Sequence, residues 1–81
     1  MSNTFHLVIA SVGESRYDAQ AQSATFPGTA GEFTVLANHE AIVTTLKPGF
    51  ITVKDAEGET KKFEIESGVL ECSGNRAVAL L

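Results

Sequence analysis

The chain has no tryptophan, one tyrosine, one cysteine and two prolines among its 81 residues. Each scarcity excludes something. The single thiol, Cys72, cannot form an internal disulfide, so the staple of small secreted domains is missing and a reducing compartment is expected. Few aromatic faces means no stacking platform for sugars. Six Lys and Arg stand against ten Asp and Glu, a formal charge of -4, and the only adjacent basic pair is Lys61-Lys62. That is no footprint for nucleic acid. The longest apolar runs, Leu7 to Ala10 and Ala77 to Leu81, fall far short of the roughly 20 residues of a membrane-spanning helix. No basic segment leads into an apolar one, so no export signal is expected.

What is present is ordinary for a globular unit: 43% hydrophobic and 20% charged residues. The length predicts one domain over residues 1–81, and a domain this short is marginal alone and leans on partners. Phe5, Leu7 and Ile9 alternate with His6, Val8 and Ala10, the period of a strand with one face against a core. Arg16 to Phe26 reads as extended and ends at Pro27-Gly28. Ile51 and Val53, then Phe63 and Ile65, flank Asp55-Ala56-Glu57-Gly58 as a hairpin; Val69 to Cys72 and Arg76 to Leu81 flank Ser73-Gly74-Asn75 as another. Ala37, Ala41, Ile42 and Leu46 have near-helical spacing. The β-branched run Ile42-Val43-Thr44-Thr45 and the stop at Lys47-Pro48-Gly49 nevertheless favour a strand. The whole reads as all-β, antiparallel, closed or double-layered.

Chemistry is sparse. His6, His39 and Cys72 stand in no paired ligand spacing, so no metal site is expected. Gly28-Thr29-Ala30-Gly31 lacks the Lys-Ser/Thr of a phosphate loop and reads as a tight turn. Glu57, Glu59, Glu64 and Glu66 read as a turn and the wet face of a strand, not as a hydrolytic pair. His39, between Asn38 and Glu40, lies where a partner could reach it; a contact role outweighs general-base work there. Residue by residue, the chain reads as a binding or assembly module without a cofactor.

The stretch Gly31-Glu32-Phe33-Thr34-Val35-Leu36-Ala37-Asn38-His39, continuing to Leu46-Lys47-Pro48-Gly49, resembles the epsilon subunit of F-type ATP synthases. Phe5-His6-Leu7 and Ser67-Gly68-Val69-Leu70-Glu71-Cys72 extend the resemblance over nearly the whole chain. It implies the N-terminal domain of that subunit, a flattened sandwich of two antiparallel sheets, without the C-terminal helical hairpin and without direct ATP binding. It also implies a non-catalytic place at the foot of the central stalk of a proton-translocating enzyme, peripheral to the cytoplasmic face of a bacterial inner membrane. By position, Gly28, Thr29, Ala30, Gly31 and Glu32 would face the c-ring, and Ser11, His39 and Thr44 the gamma subunit. A gamma-facing apolar surface, left bare, would favour self-association. Thr34, Ala37, Asn38 and Ala41 depart from the family pattern, which predicts a reshaped turn before His39. Asn38 can supply the left-handed conformation that glycine gives there. The alternative reading is an unrelated all-β protein-binding module, and behind it a small hydrolase using His39 with a nearby carboxylate.

Overall fold

A computed structural model describes residues 3–81, and no helix occurs among them. The strands are β1 (Phe5–Ser11), β2 (Glu14–Gly28), β3 (Gly31–Leu36), β4 (Ile42–Leu46), β5 (Gly49–Asp55), β6 (Thr60–Ile65), β7 (Gly68–Ser73) and β8 (Arg76–Leu80). Both expected hairpins form, β5 with β6 and β7 with β8. The β-branched run wins over the helical spacing, and Ile42–Leu46 is a strand.

The fold turns on β2. Fifteen residues at a rise of about 3.3 Å would reach roughly 50 Å if straight. The longest dimension of the molecule is 35 Å, so this strand has to bend. Its register against β5 slips between Ala21 and Ser23, a bulge at Gln22 that separates its two halves. The first half pairs with β1, from Phe5 opposite Ala21 to Ser11 opposite Glu14. The second half pairs with β3 on one side and β5 on the other. One layer is therefore β1, β8, β7 and β4 beside the first half of β2; the other is β3, β5 and β6 around the second half.

The expected all-β sandwich of two antiparallel layers forms, with one parallel pairing in it. The eight strands form one continuous mixed sheet, and β1 runs parallel to β8, His6 opposite Arg76 through Ala10 opposite Leu80. A parallel pair needs a long connection between its strands, and here six strands intervene.

Alternation along the strands fills the space between the layers. Phe5, Leu7 and Ile9 of β1 and Leu70 and Cys72 of β7 meet Phe26 of β2 and Ile51 and Val53 of β5, all buried. Ala77 and Ala79 on β8, also buried, keep the central strand of the first layer thin enough for these larger side chains. Tyr17 closes one side, edge-on to Phe63 with ring centroids 6.1 Å apart, its hydroxyl donating to the Gln20 carbonyl at 2.7 Å.

Among the described residues, one charged residue lies inside. The sequence reads Asp55 as part of a turn, but its side chain is folded under that turn and only 4% of the residue is exposed. Its Oδ1 accepts the backbone N–H groups of Glu57 and Glu59 at 3.0 and 2.9 Å, and Lys61 Nζ lies 3.2 Å from Oδ2. Those backbone donors, Glu59 foremost, together with Lys61 hold the carboxyl below its ordinary pKa against the cost of burial. Burial alone pushes the Cys72 thiol up, so it stays protonated and acts as a small apolar side chain.

Candidate functional site: two contact regions at opposite ends of the sandwich

The first region is the tip of the β2–β3 hairpin. Gly28 stands opposite Gly31, leaving Thr29-Ala30 as a two-residue turn. Glycine at 28 is a steric requirement: a Cβ there would lie 2.7 Å from the Gly31 carbonyl oxygen and 2.8 Å from the Phe33 ring. That ring stacks on Phe26, centroids 5.7 Å apart, and closes the core beneath the turn. Thr29, Ala30, Gly31 and Glu32 are exposed, whereas Gly28 is buried. Of the five residues assigned to the ring by resemblance, Gly28 therefore shapes the turn and the other four are presented.

Backbone bonds hold the tip in place. Thr29 N–H donates to the Thr45 carbonyl at 3.1 Å, and Lys47 N–H donates to the Pro27 carbonyl at 2.9 Å. The hydroxyls of Thr29 and Thr45 lie 2.9 Å apart, and Gly28 stands opposite Leu46. None of these partners was legible from spacing, because they join segments far apart in the chain.

The second region is the turn between β3 and β4. Asn38 has φ 62°, the only left-handed non-glycine among the described residues, as expected from its place in the resemblance. Its N–H donates to Asn75 Oδ1 at 2.7 Å, Asn75 Nδ2 donates to the Thr4 carbonyl at 2.7 Å, and the Asn75 carbonyl accepts His6 N–H at 3.1 Å. One side chain thus ties the turn to the start of β1; sequence reasoning treated Asn75 only as a turn residue. His39 is half-buried, with Nδ1 2.9 Å from the Glu40 carbonyl oxygen. A carbonyl only accepts, so Nδ1 carries the proton. Among the described residues no carboxylate bonds to His39, and no group of His, Cys, Asp and Glu could hold a metal ion. The hydrolase reading loses its geometric basis.

The three residues assigned to gamma do not cluster. His39 lies near Phe5 and Asn75, whereas Ser11 ends β1, roughly 20 Å away at the usual strand rise. Thr44 is half-buried in the middle of β4, opposite Leu70. Thr44 shares the inward face of β4 with Ile42 and Leu46, whereas an apolar stripe crosses the outer face of the first layer. Thr45, Val69, Leu80 and Ala10 stand in register over four strands, with exposed Val43 in the next row. Val43, Leu80 and Val69 are 70%, 59% and 43% exposed. The signal in the sequence was the unbroken apolar run Ala77 to Leu81, which leaves β8 apolar on both faces.

Among the described residues, exposed turns and an apolar stripe are the surface features that mark contact with other proteins. The match with known proteins agrees: residues 4–80 fit the model of the ATP synthase delta/epsilon chain beta-sandwich domain. The chain belongs to that family. It is 40% identical over 68 residues to the ATP synthase epsilon chain of Sinorhizobium fredii, covering 84% of this chain and 51% of that one. With the epsilon chain of Allorhizobium ampelinum it shares 32% identity over 80 residues, 99% of this chain and 59% of the relative. The chain thus spans about half the length of the curated relatives it matches. A chain in the Euglena gracilis mitochondrial ATP synthase OSCP/F1/c-ring structure superposes with TM-score 0.90 at 22% identity, over 99% of this chain and 51% of that one. One in the Tetrahymena thermophila mitochondrial ATP synthase central stalk/c-ring gives 0.79 at 12%, over 98% and 63%. These two likenesses establish the fold.

Proposed function

We propose that this chain is a non-catalytic docking subunit of the rotor of a proton-translocating F-type ATP synthase, seating gamma on the c-ring. The observation that carries the reading is the backbone-stapled hairpin tip with Glu32 exposed, in a chain of the epsilon family. Gamma lies against the outer stripe of Val43, Val69 and Leu80, and Ser11, His39 and Thr44 are assigned to it by the family resemblance. Apolar surface exposed in this way gains free energy when covered, at about 25 cal/mol per Å² removed from water. The ring lies against Thr29, Ala30, Gly31 and Glu32. A carboxylate there pairs with a basic group on a ring loop and contributes about 0 to 1 kcal/mol, enough to orient but not to hold. The subunit does no bond chemistry, binds no ATP through this domain and sits peripheral to the cytoplasmic face of a bacterial membrane as part of the complex.

Size-exclusion chromatography of the chain mixed with gamma of the same organism tests the reading. Co-elution in a stoichiometric complex is expected, with no ATPase activity in the chain alone. Separate elution at micromolar concentrations would remove the gamma assignment.

A further inference from the structure

The hairpin tip does not stand alone at its end of the molecule. The turn between β4 and β5, Lys47-Pro48, is fastened to it through Lys47 N–H and the Pro27 carbonyl. The turn between β6 and β7, Glu66-Ser67, runs alongside, because Leu46 stands opposite Gly68 and Gly49 opposite Ile65. Three chain crossings thus end on one surface, and each carries a charge: Glu32, Lys47 and Glu66, all exposed. None of the three forms an ion pair among the described residues, in contrast to Asp55 with Lys61 or His6 with Asp18.

The spacing of these charges is fixed by backbone, not by flexible loops. Lys47 is one hydrogen bond from Pro27, and Pro27 stands opposite Glu32 across the ladder. Two steps of about 5 Å each put Glu32 and Lys47 roughly 10 Å apart at the backbone. That is slightly more than the screening length of about 8 Å at physiological salt, so only a partner loop broad enough to reach both side chains senses Glu32 and Lys47 together. A partner loop bearing only basic groups would be attracted by the one and repelled by the other.

Resting on the reading of the tip as the ring-docking element, we infer that Lys47 and Glu66 belong to the same docking surface as Glu32. This end of the sandwich recognises polar ring loops carrying both a basic and an acidic group. Lys47 sets the register: it admits the basic group only where an acidic neighbour falls within its reach.

A titration of the chain against detergent-solubilised c-ring of the same organism decides the matter, with Lys47→Glu, Glu66→Lys and Glu32→Lys beside the wild type. Gamma binding by each variant serves as the control for folding. Lys47→Glu is expected to weaken ring binding roughly three- to tenfold at low salt, with gamma binding unchanged and the loss shrinking toward about 0.5 M salt. Equal or tighter ring binding by Lys47→Glu, while Glu32→Lys binds more weakly, overturns the extended surface and leaves the docking reading intact. If the wild type binds neither ring nor gamma, the rotor reading fails and takes this inference with it.

Discussion

The two ends of the sandwich present turns of similar size but hold them by different means. At the Gly28 end, three turns lie side by side and are joined through main-chain donors and acceptors, Thr29 to Thr45 and Lys47 to Pro27. At the Asn38 end, a single side chain, that of Asn75, joins the turn to the Thr4 carbonyl, beside the backbone bond from His6 N–H to the Asn75 carbonyl. Backbone bonds tolerate most changes of side chain and fail only when the chain cannot pass closely. A side-chain clamp fails with one substitution, yet the strands beneath it remain. The first arrangement suits a surface that must bear load without changing shape. The second lets the turn before His39 vary in sequence, as its departures from the family pattern do, provided Asn75 is kept.

Gly28→Ala should have the larger effect of the two regions. The added methyl meets a carbonyl oxygen at 2.7 Å that belongs to the backbone and cannot rotate aside. A cost of about 1–3 kcal/mol in urea unfolding is expected, with faster amide exchange at Thr29 and Lys47. Wild-type stability in this variant would show that the tip is looser than its hydrogen bonds imply. Asn75→Ala comes next, at about 1 kcal/mol, because the exposed N–H and carbonyl it releases can turn to water. The Asn38 amide should then exchange faster while Thr29 keeps its protection. Equal loss of protection at both ends would mean that the two regions are not independent.

Acid acts instead on the β5–β6 hairpin of the second layer, through Asp55. The folded-state pKa of Asp55 is lowered, so its contribution is complete above the unfolded value of about 3.9 and is lost as pH falls through the folded value. Asp55→Asn should therefore be less stable than wild type near neutral pH, and the gap in unfolding midpoint should narrow below about pH 4. A gap independent of pH would assign the role of Asp55 to the hydrogen-bonding shape of its side chain, not to its charge.

Strands whose alternation is local were legible in the sequence: Phe5 to Ile9, the Asp55 hairpin and the β-branched run of β4. Asn38 was legible as well, since few residues other than glycine accept its backbone conformation. The parallel partner of β1 was not, because nothing in residues 5–11 encodes which strand some 70 positions away will lie beside them. The double membership of β2 was hidden for a related reason. Its buried positions change from odd (Tyr17, Ala21) to even (Ala24, Phe26) at the bulge of Gln22, a phase shift that no turn residue marks. Asp55 was misjudged because a turn signal describes the backbone; the donors that draw its carboxylate inward come from Glu57 and Glu59, residues that read as wet. In the candidate site, Glu32 and its exposure could be anticipated, but the fastening of Lys47 to the tip arises only once β2 and β4 meet.

Asn38→Gly should give the smallest change and the sharpest separation of side chain from backbone at the clamped end. The donor to Asn75 is the Asn38 N–H, which glycine keeps. Glycine also removes the steric cost of φ 62°, while losing more freedom on folding; the two terms oppose each other and leave a net change within about 0.5 kcal/mol. Asn38→Ala keeps the donor too but must place a Cβ in the left-handed region, at about 1–2 kcal/mol. The Gly and Ala variants should therefore diverge in unfolding midpoint although both lack the amide side chain. If they fall together, well below wild type, the Asn38 side chain makes a contact of its own, and the turn before His39 is held by more than Asn75.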